Sequence, residues 1–312
     1  MAFEDMASLL ELNALNVDTE SWIEDAENNL EILKGNVAHA FAKANSEAEK
    51  LLWERLANDL KKIDLTQLPY NHPLCSGIFD IESSPISDLP DSLRNVFEEN
   101  TKKKFCIDNN EALLQTCEEY IQEVSISLEE PPLETCDPPF GQWIERPEKL
   151  KIITKQLLEA LPDLMLIAFV NGQRVDILNL ETGRPDSSKR KQEQDRLKLV
   201  RLAKNSMDFA RDYLKQFIKK GVLTNLLSIF SINIAGDDLR IYSMRMEHGI
   251  LRNCLLTRAT IPLHMVSADA VYPLIHSLLT LRTAIIGILL KLRVYLEGNE
   301  VENSDNPDEK IA

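Results

Sequence analysis

The chain lacks what marks several large protein classes. Its 312 residues include five cysteines and five histidines. Cys75, Cys106, Cys117, Cys136 and Cys254 are scattered, odd in number and without a CxxC pair, so neither a disulfide framework nor a structural zinc site is expected. A reducing compartment fits that usage. The histidines show no HxxxH or HExxH spacing, and His248, His264 and His276 read as structural. The most apolar late run, residues 283–290 between Arg282 and Lys291, is too short to span a bilayer. Residues 1–15 carry three acids and no basic n-region, so no signal peptide is expected. The expectation is an intracellular protein, nuclear or cytoplasmic, not secreted and without a membrane partner. Trp22, Trp53 and Trp143 are too far apart to form a base-stacking platform.

Excess positive charge is also missing. The net charge of −15 argues against a general nucleic-acid-coating protein. The acidity is uneven, however. Residues 1–150 hold 12 Lys/Arg against 31 Asp/Glu, a net of −19, whereas residues 151–297 hold 22 against 14, a net of +8. Two halves with opposite charge follow from the sequence alone. Hydrophobic content of 44% over this length supports a sizeable core in one or two domains.

Residues 1–62 read as helix, with Asp18 or Thr19 as a cap. Ile23, Ala26, Leu30, Leu33, Val37, Ala40 and Ala44 give one apolar stripe at three-four spacing. Residues 63–92 hold Pro69, Pro73, Pro85 and Pro90 with a Ser-rich patch, which breaks regular structure. A short helix over about 108–124 follows. A second Pro-rich break covers 129–147. The expected organisation is an acidic helical region at 1–128, a linker at 129–147, an α+β domain at 148–297 and a disordered acidic tail at 298–312. A long surface loop inside one domain is the alternative reading of the linker.

Within the α+β part, residues 148–160 read as helix and 188–220 as a long helix stopped by Gly221. Val200, Ala203, Met207, Ala210, Leu214 and Phe217 form the stripe of that long helix. Its other faces are basic: residues 184–220 hold 12 Lys/Arg against 5 Asp/Glu. Such charge either tracks phosphates, is a solvated face, or neutralises the acidic half. Residues 227–234, 239–246 and 254–263 alternate like strands, with a turn at Gly236-Asp237-Asp238. A final helix over 268–296 carries Val271, Leu274, Leu278, Leu281, Ile285, Ile288 and Leu292 on one stripe. These stripes read as core, with partner-helix surfaces as the alternative.

The most informative stretch is residues 162–183. Asn171-Gly172 between two apolar, β-branched runs signals a hairpin. If Val170 pairs with Gln173, Asp163 faces Leu180, one step from Glu181. Two carboxylates at one end of a hairpin can supply oxygen ligands to a divalent cation. Side chains alternate faces, so convergence needs a bulge or end twist to correct the parity. The plain alternative is two strand-end acids with no chemical role, and Asp176 is another candidate carboxylate.

Pro162-Asp163, Asn179-Leu180-Glu181-Thr182-Gly183, the helical run 195–204, Ile232 to Gly236 leading into Leu239-Arg240-Ile241-Tyr242, and Ala259 to Pro262 together carry a resemblance. Over residues 145–297 the chain resembles the PD-(D/E)XK nuclease-like superfamily, most closely a branch of early-diverging fungi. The resemblance implies a twisted mixed sheet flanked by helices and Mg-dependent phosphodiester chemistry on nucleic acid. It implies Asp163 and Glu181 as metal ligands and Glu148 as an assisting helical acid. It also brings Arg184, Lys189, Arg190 and Lys191 forward as nucleic-acid contacts. The family's lysine two positions after the Glu is Gly183 here. The expected function is that of a nuclease-like protein, active or catalytically degenerate. The alternative is a non-catalytic scaffold whose N-terminal helices bind a protein partner.

Overall fold

The structure is a computed structural model that describes residues 19–126, 166–170, 173–183, 187–215, 226–262 and 267–304. Its elements in chain order are α1 (Thr19–Lys43), α2 (Glu47–Leu60), β1 (Ile78–Asp80), α3 (Asp91–Phe105), α4 (Glu111–Ile126), β2 (Leu166–Val170), β3 (Gln173–Gly183), α5 (Lys189–Leu214), β4 (Ser228–Ala235), β5 (Asp238–Glu247), β6 (Ile250–Thr260) and α6 (Ala268–Ser304). The class is α+β, with a six-stranded mixed sheet in the order β1-β6-β5-β4-β3-β2. Two compact units are present, one of residues 1–99 and 245–254, the other of 100–244 and 255–312. The expected 129–147 linker and 148–160 helix lie outside the described residues.

In the first unit, α1 buries Ala26, Leu30, Leu33, Val37 and Ala40, the stripe that its spacing defines. Leu52, Trp53, Leu56 and Leu60 form the inward face of α2. Each buried leucine contributes about 2 kcal/mol through area removed from water. Ser46 caps α2 by accepting the Glu49 N–H at 3.1 Å, while the Glu49 carboxylate accepts the Asn45 N–H at 2.8 Å. The Pro-rich stretch holds β1, which the sequence pattern does not reveal because three residues show no period. β1 pairs in parallel with β6 through Ile78↔Leu251, Phe79↔Arg252 and Asp80↔Asn253.

That pairing carries a buried polar cluster. Asp80 accepts Ser83 Oγ at 2.5 Å and Asn253 Nδ2 at 2.8 Å. Arg252 is buried and ion-paired with Glu247, and its guanidinium lies 4.2 Å from the Phe97 ring centroid and 5.7 Å from that of Trp53. Trp53 is thus a core and cation–π residue. The β5–β6 turn uses Gly249 at φ 82, where an added Cβ would meet Asn36 Oδ1 at 3.0 Å.

The second unit holds β3, β4 and the parts of β5 and β6 outside residues 245–254, and in it α5 crosses between β3 and β4. Ser188 caps α5 by accepting the Lys191 N–H at 3.2 Å. Val200, Ala203, Met207, Ala210 and Leu214 are buried as the spacing predicts, and Phe217 and Gly221 lie outside the described residues. All seven stripe residues of α6 are buried. Near its start, Ala268, Val271 and Ile275 join Leu113 and Cys117 of α4 in one cluster. Residues Ala268–Tyr295 are long and apolar enough to cross a membrane, and half of the most apolar window is buried inside the fold. α6 runs on to Ser304, beyond the expected end near Leu296 and into the segment expected as a disordered tail. Past Gly298 no proline occurs before Pro307, so no residue there lacks the backbone N–H that a helix needs.

Two outcomes follow for this architecture. Asn253→Ala removes a donor from the buried Asp80 carboxylate and should lower unfolding free energy by about 1–3 kcal/mol in a urea titration; an unchanged midpoint would dismiss the cluster as a stabilising element. Burial, with a smaller push from Glu118, raises the Cys117 thiol to about 11. Cys106, by contrast, is exposed. Mass-spectrometric alkylation at pH 8 should modify Cys106 in the native protein and reach Cys117 only after unfolding.

Candidate functional site

The hairpin forms with the register that the turn signal implies. Val170 pairs with Gln173, and Ile167 with Asp176. The next pair is Leu166↔Leu178, so the register shifts by one residue between Leu166 and Ile167. A shift of this kind is a bulge or other irregularity in the ladder. The Asn171-Gly172 turn and Asp163 lie outside the described residues, as do Glu148 and Arg184. Asp176 is half-buried on the turn side of the bulge.

Beyond the bulge, β3 runs parallel to β4 through pairs that include Asn179↔Ser231, Glu181↔Asn233 and Gly183↔Ala235. Residues 179, 181 and 183 share one face of the strand. That face meets α5. Lys198 Nζ donates to the two carboxylate oxygens of Glu181 at 3.0 and 2.9 Å. A Cβ built on Gly183 would lie 3.9 Å from Asp195 Oδ2 and 3.5 Å from the Ile234 carbonyl oxygen, both ordinary contacts. Asp195 is buried and paired with Lys191 Nζ at 2.7 Å. Asp195 and Lys198 are three residues apart and so lie on one side of the helix. The result is two carboxylates and two ammoniums gathered where β3 ends. Deeper on the same face, Asn179 Nδ2 and Ser231 Oγ are buried with no hydrogen-bond partner among the described residues. Asn233, opposite Glu181, is also buried.

Sequence reasoning named Glu181 and Lys191 here but gave no role to Asp195 or Lys198. For Asp195 a signal was available: it continues the buried face of α5, where a charge needs a partner. Lys198 was hidden because its partner is 17 residues away on another element. Some of the other basic groups of α5 and its C-cap are paired within the helix. Arg196 pairs with Glu193, Lys204 with Asp208 and Lys215 with Asp212. Lys189 and Arg190 are exposed in its first turn and form no ion pair among the described residues.

A second charged group sits at the same end of the sheet. β4 stops at Ala235, turns at Gly236 with φ 66, and re-enters the sheet as β5 at Asp238. Asp238 accepts Arg240 Nε at 2.7 Å and Arg258 Nε and Nη2 at 2.7 and 3.1 Å. Burial alone pushes the Asp238 carboxyl up, but the hydrogen bonds and charges of Arg258 and Arg240 outweigh it and hold it below its ordinary value. Sequence reasoning saw only the turn, because the three residues belong to two strands.

Glu181 and Asp195 offer the carboxylate oxygens that a hard divalent cation prefers, and the Asn179 side chain adds an amide nearby. Among the described residues no group of three or more His, Cys, Asp or Glu side chains is clustered closely enough to form a metal cage. No protein-family model, curated protein or solved structure matches the chain.

Because its folded value is depressed, the Asp238 carboxylate adds stability at pH above its unfolded value near ~3.9, and that contribution fades as pH falls through the folded value. Urea midpoints measured from pH 6 down to pH 3 should therefore drop less steeply in Asp238→Asn than in the unchanged protein. Parallel acid-side slopes would remove Asp238 from the account.

Proposed function

We propose that the chain is a nuclease-like protein whose site, at the end of β3, carries out divalent-metal-dependent cleavage of nucleic-acid phosphodiesters. Glu181 and Asp163 are the metal-holding carboxylates, Asp195 is a supporting acid, and Lys198 supplies the ammonium that the resemblance would place at Gly183. The observation that carries this reading is the hold of Lys198 on both oxygens of Glu181, next to a buried Asp195. A lysine on a flexible stem is a movable cation, able to leave the carboxylate and meet a phosphate oxygen. The register shift between Leu166 and Ile167 supports the same reading, because convergence of Asp163 with Glu181 needs a correction of parity of that kind.

When bound, Mg²⁺ would activate water and neutralise charge developing on the phosphate. The protein's own part is separable from that. Glu181 and Asp195 fix where positive charge collects. Lys198 holds the Glu181 carboxylate through both oxygens until a cation displaces it, which limits the cost of a half-buried charge. The buried amide of Asn179 and hydroxyl of Ser231 give the floor of the site a polar lining.

The test is cleavage of single-stranded DNA, duplex DNA and RNA with Mg²⁺ or Mn²⁺. Cleavage by the unchanged protein, its loss in Glu181→Gln and Asp163→Ala, and a fall on the order of 100-fold in Lys198→Met are expected. Gly183→Lys on the Lys198→Met background should recover part of that loss, since a Cβ at position 183 meets only ordinary contacts. If no substrate is cut with either metal, the enzyme reading fails and the scaffold reading takes its place.

A further inference from the structure

We infer that the sheet end bearing Glu181 is a phosphate-gripping surface for a nucleic-acid strand, with Arg258, braced by Asp238 beside Arg240, as its anchoring guanidinium. The inference rests on the nuclease-like reading and adds the residues that hold the substrate.

Topology does the gathering. β3 and β4 are parallel and end together at Gly183↔Ala235. α5 starts at Lys189, just after β3 ends, which puts Lys189 and Arg190 at that end of the sheet. β5 starts at Asp238, just after β4 ends, which puts Arg240 there. β6 finishes at Thr260, which brings Arg258 to the same end, and the Ile261 N–H donates to the Asp237 carbonyl at 2.6 Å to close the arrangement. Ligands of sheets with parallel strands bind outside the carboxyl ends of those strands, and this is that end for β3 and β4.

Charge accounting favours an anion. Asp238 is one carboxylate shared by two guanidiniums, so this trio has an excess positive charge. Along α5, Arg196 and Lys204 are paired with acids of the same helix, whereas Lys189 and Arg190, both exposed in its first turn, form no ion pair with the described residues. Unmatched positive charge is thus present at this end of the sheet. Arg258 is 60% exposed at its side chain. Asp238 holds it through Nε and Nη2, and Nη1 has no protein partner among the described residues. A guanidinium already fixed by a carboxylate loses little rotamer freedom on binding, and a planar fork suits phosphate oxygens.

The experiment is fluorescence anisotropy of labelled single-stranded DNA, duplex DNA and RNA of one sequence, with EDTA present so that cleavage cannot intervene. Affinity is followed against salt concentration. The unchanged protein should bind at least one probe with a salt-dependent affinity, and Arg258→Ala should make the log–log slope shallower by about one. Arg258→Lys should keep the slope, because the charge remains. Arg258 also braces the β4–β5 turn, so Arg258→Gln, which keeps a donor for Asp238, must show the shallower slope as well, with an unfolding midpoint near that of the unchanged protein. An unchanged slope in both neutral variants overturns the inference while cleavage data still decide the nuclease reading. Failure of the unchanged protein to bind any probe also overturns it.

Discussion

The parallel pairing of β3 with β4 is the constraint on which the second unit depends. Two adjacent parallel strands cannot be joined by a turn, so the chain must cross over between their opposite ends. α5 is that crossover, and its apolar stripe buries the face of the sheet it crosses. The same constraint decides where charge can go. It brings the end of one strand, the start of a helix, the end of the next strand and the start of a third to one end of the sheet. Glu181, Asp195 and Lys198 meet because of that route, although neither Asp195 nor Lys198 is near Glu181 in sequence.

The buried polar groups show how sequence and site diverge from simple burial rules. Asn179, Ser231 and Asn233 occupy interior positions on strands whose neighbours are isoleucine, leucine and phenylalanine. Replacing them with apolar residues of similar size would remove desolvation costs. In the first unit the balance is different: Asp80, Ser83 and Asn253 satisfy one another where a three-residue strand joins β6, so polarity there fastens an element too short to bury much area.

Elements with a long period were legible from sequence. The stripe of α6 is buried throughout, and those of α1 and α5 over most of the positions their spacing named, with Ile23 and Ala44 only half-buried and Phe217 outside the described residues, because a helix of many turns repeats its signal. The Val170↔Gln173 pair also follows from local turn chemistry. Short or non-periodic pieces were not legible. β1 has three residues, and α3 follows a run of prolines and serines that masks its start. The site was half legible: a carboxylate at a strand end is visible in a motif, whereas the ammonium that faces it depends on tertiary approach. Gly183 stands where the resemblance would place a lysine, and the lysine that meets Glu181 is Lys198 of the neighbouring helix.

The strand lengths have a further consequence, for how the molecule behaves among its own copies. Among the described residues the interior strands β3 to β6 run 8 to 11 residues, whereas β1, at one end of the order, has three. An open sheet edge is a template for a further strand from another chain, and its hazard grows with its length. Ending that edge on three residues leaves few unpaired backbone groups in register there, so at high concentration a strand from another copy finds little on it to extend.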